Sequence, residues 1–188
     1  MTTNLVSIDI GYSNMAIVEL STDFKDFTVN SVHKIDLSNF NEREVYMSMI
    51  KFISEYKELF SSADLILIER QPPQGLTNIQ DILAYNFSSK VKLICPRSMH
   101  KHFMISKLDY ESRKQHTVKI TSKYLKDFLV FDNDSRKHDI ADAFCLALYY
   151  IEKNKKPEIV VPETIPDNLE DFFNSFRYTP SVTTRIFQ

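Results

Sequence analysis

Residues 4–20 read NLVSIDIGYSNMAIVEL. Asn4 to Ile10 alternates loosely between apolar and polar positions and runs into Gly11, the pattern of a strand entering a tight turn, and Met15 to Leu20 supplies a second strand. Phe27 to Ile35, where Val29, Val32 and Ile35 are separated by polar residues, is a less regular third strand. The chain therefore opens as an antiparallel meander. One residue in it is out of place: Asp9 interrupts an apolar strand between Ile8 and Ile10.

Working outward, Val45, Met49, Phe52, Ile53, Tyr56 and Phe60 recur at spacings of three and four, and Asn41 with Glu44 resembles a capping box, so a helix is expected from Asn41. Leu65 to Ile68 is a short continuous apolar run within Ala63 to Glu69, closed by charge and by Pro72 and Pro73; it reads as a buried, central strand. Ile79, Ile82, Leu83 and Phe87 mark a short helix over residues 78–87, and Val91 to Ile94 another strand. Val118, Thr121, Tyr124, Leu125 and Phe128 form the apolar stripe of a basic helix. Lys137 to Lys153 reads as a long helix, apolar on most faces. The expected class is α/β: a mixed central sheet, antiparallel meander then parallel strands, flanked by helices in the order of a ribonuclease H-like fold. Pro157, Pro162 and Pro166 give the C-terminal stretch an irregular character. The expected division is a domain over 1–156 and a tail over 157–188, whose helix Asp167 to Phe176 docks on the same domain or on a partner subunit.

Composition narrows the function. At 188 residues, 43% hydrophobic and 26% charged, the chain has enough apolar material for one core. Its two glycines, Gly11 and Gly75, cannot write GxGxxG or a Walker A loop, which excludes dinucleotide-binding and P-loop enzymes of those kinds. Cys95 and Cys145 stand apart with no CxxC pair, which fits a reducing compartment and not a zinc knuckle. The longest apolar run, Ala143 to Ile151, is too short to span a bilayer, and Met1 to Asn4 does not begin a signal peptide; a soluble intracellular protein with no membrane partner is expected. Met47, Met49, Met99 and Met104 read as packing residues, and Tyr149 and Tyr150 as core and rim of the last helix.

The formal net charge of −2 conceals a sharp asymmetry. From Arg97 to Lys126 there are eight Lys or Arg against Asp109 and Glu111, so this segment carries about +6 and the remainder about −8. One basic face on an acidic body can track a phosphate backbone. A solvated helix face has the same composition, so the acids must decide.

Glu69 closes Leu-Ile-Leu-Ile, and Asp139 and Asp142 stand three apart at the start of the most apolar helix, on one side of it. Taken singly, each acid has an ordinary explanation: Asp9 caps a turn, Glu69 pairs with Arg70, and the two aspartates favour a helix N-terminus. Taken together, four carboxylates converge if Asp9 and Glu69 end adjacent strands and the last helix packs beside them. Hard oxygen donors without His or Cys select Mg2+ or Mn2+, and such a group can hold two ions.

The segments VSIDIGYSNMAIVEL, LILIERQPPQG and HDIADAFCLALYY resemble the three acidic motifs of RuvC-like Holliday-junction resolvases, most closely those of the poxvirus branch, over nearly the whole chain to about Tyr150. The resemblance implies that Asp9, Glu69, Asp139 and Asp142 bind two Mg2+, with Mn2+ as a substitute. It also implies a homodimeric endonuclease that cuts four-way and other branched DNA symmetrically during viral DNA replication and concatemer resolution, in the host cytoplasm, without a small-molecule cofactor. Lys107 and Lys114 fall where the family places basic residues near the scissile phosphate, with Lys101, Arg113 and Lys119 as close competitors. Arg97, Lys101, Lys107, Tyr110, Arg113, Lys114 and Lys119, together with Arg70 and Gln71, form the expected DNA-binding set. The helix over 78–87 is the expected dimer contact, by analogy. Arg70, Gln71 and the double proline depart from the bacterial pattern, at the loop that would read bases. His138 is a further candidate outer ligand, although a neutral first-turn residue explains it equally.

Three other functions compete. A ribonuclease H-type nuclease on RNA–DNA hybrids would use the same acids. A sugar-kinase or actin-like phosphate binder would use Asp9-Ile-Gly11 and Asn14, but that fold needs a second Asp-x-Gly loop, and Gly75 has no such Asp. A non-catalytic DNA-binding protein is disfavoured, because four acids near the backbone path repel phosphate unless metals neutralise them.

Overall fold

Five strands lie side by side in the order β3-β2-β1-β4-β5. In the computed structural model, which describes residues 1–40 and 42–155, these are β1 (Thr3–Asp9), β2 (Met15–Thr22), β3 (Phe27–Ile35), β4 (Leu65–Glu69) and β5 (Val91–Ile94). β1 pairs antiparallel with β2 and β2 with β3, whereas β1 pairs parallel with β4 and β4 with β5. This is the mixed, ribonuclease H-like sheet expected from the element order. β1 is the middle strand, with β4 buried beside it. The expected tail over 157–188 and its helix lie outside the described residues.

Gly11 makes the first turn possible. A Cβ there would sit 2.8 Å from the carbonyl carbon of Asn14 and 2.9 Å from the Met15 nitrogen, inside any tolerable contact. The β1–β2 turn can close this tightly only without a side chain.

The alternation of each strand divides the core into two layers. Val6, Ile8, Ile17, Ile66 and Ile68 pack against α1 (Val45–Glu55), α2 (Lys57–Ser62) and α3 (Thr77–Asn86), where Met49, Phe52, Phe60, Ile79 and Leu83 are buried. Leu5, Ala16, Val18, Leu20, Val32 and Leu67 face the other way, against α7 (Lys137–Asn154) and α5 (Tyr110–Leu125). Buried Ser7 belongs to this second face, and its Oγ donates a 2.7 Å hydrogen bond to the carbonyl of Ala143 on α7.

Several local expectations are corrected. The first helix begins at Val45, with Glu44 as its N-cap and no side-chain capping bond, and it breaks at Tyr56 into α1 and α2. Two short helices, α4 (Pro96–His102) and α6 (Leu129–Asn133), were not legible because each is short and buries a single side chain, Met99 and Phe131. α5 ends at Leu125, so Phe128 is outside it, and the buried stripe of α5 is Thr117, Thr121 and Leu125. Met49 and Met99 are packed, but Met47 and Met104 are exposed, Met104 by 88% at a positive φ in the loop after α4. Among the described residues, no helix is long and apolar enough to cross a membrane.

Candidate active site

Asp9 and Glu69 are the last residues of two adjacent parallel strands, β1 and β4. The register sets Ile8 beside Ile68, so the two acids are level, and their parity with Ser7 and Leu67 turns both toward α7. Carboxyl ends of parallel strands are where an α/β sheet opens to ligands. Asp139 and Asp142, both in the first two turns of α7, come over this edge: Asp139 is 5% exposed, and Asp142 is partly buried.

The charges interact as one group. Burial, then Asp142 and Glu69, push the Asp9 carboxyl well above the usual carboxylate range, against an opposing pull from Lys114. Burial and Asp142 push Glu69 up to about 7, again opposed by Lys114. For Asp139, burial raises the pKa but is outweighed by hydrogen bonds from Arg136 and Lys34, and the net shift is downward. Burial lowers Lys114, yet its pairing with Asp142 outweighs this and leaves its pKa raised. Two of the acids are thus raised by burial and compensated only in part by Lys114, and two are paired directly with lysines.

The engagements are specific. Lys114 on α5 pairs with Oδ2 of Asp142, and Thr117 donates to its Oδ1 at 3.0 Å. Lys34 on β3 donates to Oδ2 of Asp139 at 2.5 Å, Arg136 Nε to the same oxygen at 3.1 Å, and His138 Nε2 lies 3.2 Å from Oδ1. As placed, no three His, Cys, Asp or Glu among the described residues are near enough to share one ion. The donor chemistry nonetheless fits a hard divalent cation: all four candidate residues are carboxylates, and Asp9 and Glu69, raised by burial and by neighbouring acids, would be eased by a positive ion.

A cleft of about 590 Å³ opens beside the acids, with Glu69 and Asp142 in its wall. The rest of the wall includes Arg70 and Gln71 after β4, Arg97 and His100 on α4, and Tyr110, Arg113 and Lys114 on α5. Tyr110 is 57% exposed, and Lys114 Nζ lies 5.4 Å from its ring centroid. Six of the nine expected DNA-binding residues therefore line one cavity. The other three do not. Lys107 is exposed in the loop between α4 and α5, Lys119 is exposed on α5, and Lys101 lines a separate cleft with Ser98, His102, Tyr149 and Lys153. Tyr149 and Tyr150 pack at the rim of the α7 core.

Sequence reading missed Lys34, Thr117, Arg136 and His100. Thr117 was within reach, because Lys114, Thr117 and Thr121 share one face of α5. Lys34 had no local signal, since its partner is 105 residues away.

A model of the Poxvirus A22 protein family matches residues 4–154. This chain belongs to the poxvirus A22 protein family. Among solved structures, the Fowlpox virus resolvase with substrate Holliday junction DNA is similar at 20% identity and a TM-score of 0.63, over 82% of this chain and 100% of that one. The Fowlpox virus Holliday junction resolvase alone matches at 18% identity and 0.59, over 81% and 99%. RuvC of T. thermophilus in complex with Holliday junction substrate matches at 12% identity and 0.55, over 81% and 97%. No curated protein matches significantly by sequence. The shared feature is the fold, the RuvC-type ribonuclease H-like sheet. In this A22-family chain the three acidic motifs lie at its open edge.

Proposed function

We propose that the chain is a Holliday-junction resolvase, a divalent-cation-dependent endonuclease that cuts four-way and other branched DNA symmetrically by phosphodiester hydrolysis. The observation that carries this is the electrostatic influence of Glu69, Asp139 and Asp142 on Asp9, with Glu69 and Asp142 in the wall of a cleft that also bears Arg70, Arg97, Arg113 and Lys114. Membership of the A22 family and the junction DNA bound by the similar Fowlpox virus and T. thermophilus proteins support the choice of substrate.

Asp9 and Glu69 from the sheet and Asp139 and Asp142 from α7 would hold the cation, for which we propose two Mg2+, replaceable by Mn2+. When bound, such ions would lower the pKa of a water and compensate charge on the leaving 3′ oxygen. The chain's own residues do the rest. Lys114, on the acid side of the cleft, meets the scissile phosphate, while Arg97 and Arg113 hold flanking phosphates by forked hydrogen bonds. Tyr110 offers an exposed ring for a sugar or an unstacked base at the branch. The Ser7 hydrogen bond to the Ala143 carbonyl ties β1, which ends in Asp9, to α7, which bears Asp139 and Asp142.

Symmetric cutting requires two such sites, and we propose a homodimer through α3. Its inner face buries Ile79, Gln80 and Leu83, and it presents Tyr85, 87% exposed, to the outside. We propose the host cytoplasm as the place of this activity, in the resolution of viral concatemers; membership of the poxvirus A22 family supports this reading.

Incubation of the purified protein with a synthetic four-way junction, a linear duplex and an RNA–DNA hybrid, in Mg2+ or in chelator, tests the reading. Paired nicks with 5′ phosphate and 3′ hydroxyl ends, in the junction and only with metal, are expected. Cleavage of the hybrid with the junction left intact would overturn it in favour of a ribonuclease H-type nuclease.

A further inference from the structure

Lys34 ends the cross-strand row that leads to the acids. The register sets Lys34 beside Ala16 and Ala16 beside Asp9, and Val32, two residues earlier on β3, is buried on the α7 face, so Lys34 leaves the sheet on that same face. Two strand spacings put its Cα about 10 Å from that of Asp9. Between them stands only fully buried Ala16.

The ammonium has two carboxylates in reach. It lies 2.5 Å from Oδ2 of Asp139 and 3.2 Å from Oδ2 of Asp134, in the turn before α7. Asp134 is not one of the four acids. Its Oδ1 accepts from the backbone N–H of Arg136 at 2.8 Å, while its Oδ2 is buried and has no hydrogen bond, only the ion pair with Lys34. The lysine thus rests on a candidate metal ligand beside an acceptor whose hydrogen-bonding capacity is unused.

We propose that Lys34 is a built-in counter-ion that yields Asp139 to a divalent cation by moving onto Asp134. The inference rests on the divalent-cation reading above. A cation that takes Oδ2 of Asp139 displaces the ammonium from that oxygen, because two positive charges on one carboxylate oxygen repel strongly in a partly buried site. Nor can a lysine with 20% exposure of its side chain be left unpaired without cost. Asp134 removes both difficulties, since it accepts the displaced ammonium and costs no ligand. Lys34 is on this account a positioning residue that acts through Asp139.

The test is a titration with Mn2+ alone, without DNA, following the free-ion EPR signal for the full chain and for Lys34→Met, Asp134→Asn and the double variant. Lys34→Met should bind Mn2+ about threefold or more tighter, and Asp134→Asn weaker by a similar factor. In the Lys34→Met background Asp134→Asn should have no effect, because there is no lysine left to receive. In chelator, Lys34→Met should melt earlier than wild type and gain more from added Mn2+. Wild-type affinity in Lys34→Met, or the same loss from Asp134→Asn in both backgrounds, overturns the proposal; the second result is bulk charge alone. Lys34→Gln carries the same expectations and covers a folding defect particular to methionine. Asp142→Asn is the control. If it loses Mn2+ while the Lys34 variants bind as wild type, the Lys34 proposal alone fails, and if wild type binds no Mn2+, the divalent reading fails with it.

Discussion

Lys114 on α5 is ion-paired with Asp142 on α7, so one contact both joins the basic helix to the last helix and covers a candidate ligand. Thr117, one turn further along α5, takes the second oxygen of the same carboxylate at 3.0 Å. The pair lies in the wall of the cleft, beside Glu69.

Asp142→Asn keeps the side-chain shape and the Thr117 contact while removing one negative charge. Nicking of a four-way junction at saturation should collapse, with junction affinity in gel shift unchanged or slightly tighter, since repulsion of Asp9, Glu69 and the incoming phosphate falls. The thermal midpoint should hold. Near wild-type cutting by a variant that melts early would make the aspartate a structural residue.

Lys114→Ala and Lys107→Ala should separate, although the sequence places them together. Lys114 lines the cleft, so its loss should lower single-turnover cleavage more than binding. Lys107 is exposed in the loop, and its loss should weaken affinity and reduce the salt slope by about one counter-ion while sparing the rate. Cleavage rate at saturation and affinity across a salt series, measured on the same preparations, check both.

Glu69 has a folded-state pKa of about 7 against an ordinary 4.5, so between these values the folded chain holds a proton that the unfolded chain has lost. Its contribution to stability therefore falls as pH rises through this window, and Asp9 acts in the same direction. In chelator, Glu69→Gln should melt with a shallower decline between pH 4.5 and 7 than wild type. A Mg2+ or Mn2+ supplement should flatten the wild-type profile toward that of the variant. Parallel profiles of wild type and variant in chelator would show that Glu69 is not the titrating group.

Ser7→Ala removes the buried hydrogen bond between β1 and α7. The expected cost is about 1 kcal/mol in urea denaturation, because Ser7 is fully buried and the hydroxyl leaves little volume behind. Since this bond ties the strand that ends in Asp9 to the helix that bears Asp142, cleavage should drop by more than the stability loss predicts. Retained cleavage would show that backbone packing alone sets the spacing.

The sequence by itself determined the sheet and singled out the four acids as candidates. Strand alternation and the helical stripe are local patterns, and Asp9, Glu69, Asp139 and Asp142 stand out because each breaks or borders an apolar run that would otherwise be continuous. The two-glycine composition also excluded the glycine-rich phosphate loops without any structure. Only the tertiary structure decided what surrounds those acids. Lys34 meets Asp139 because antiparallel register carries β3 to the edge of α7, and Lys114, not Lys107, meets Asp142 because the face of α5 bearing Thr117 and Thr121 packs on α7. Both contacts join residues far apart in the chain, and the energy that selects them, burial of the two sheet faces, belongs to the assembled layers and leaves no local trace in the sequence.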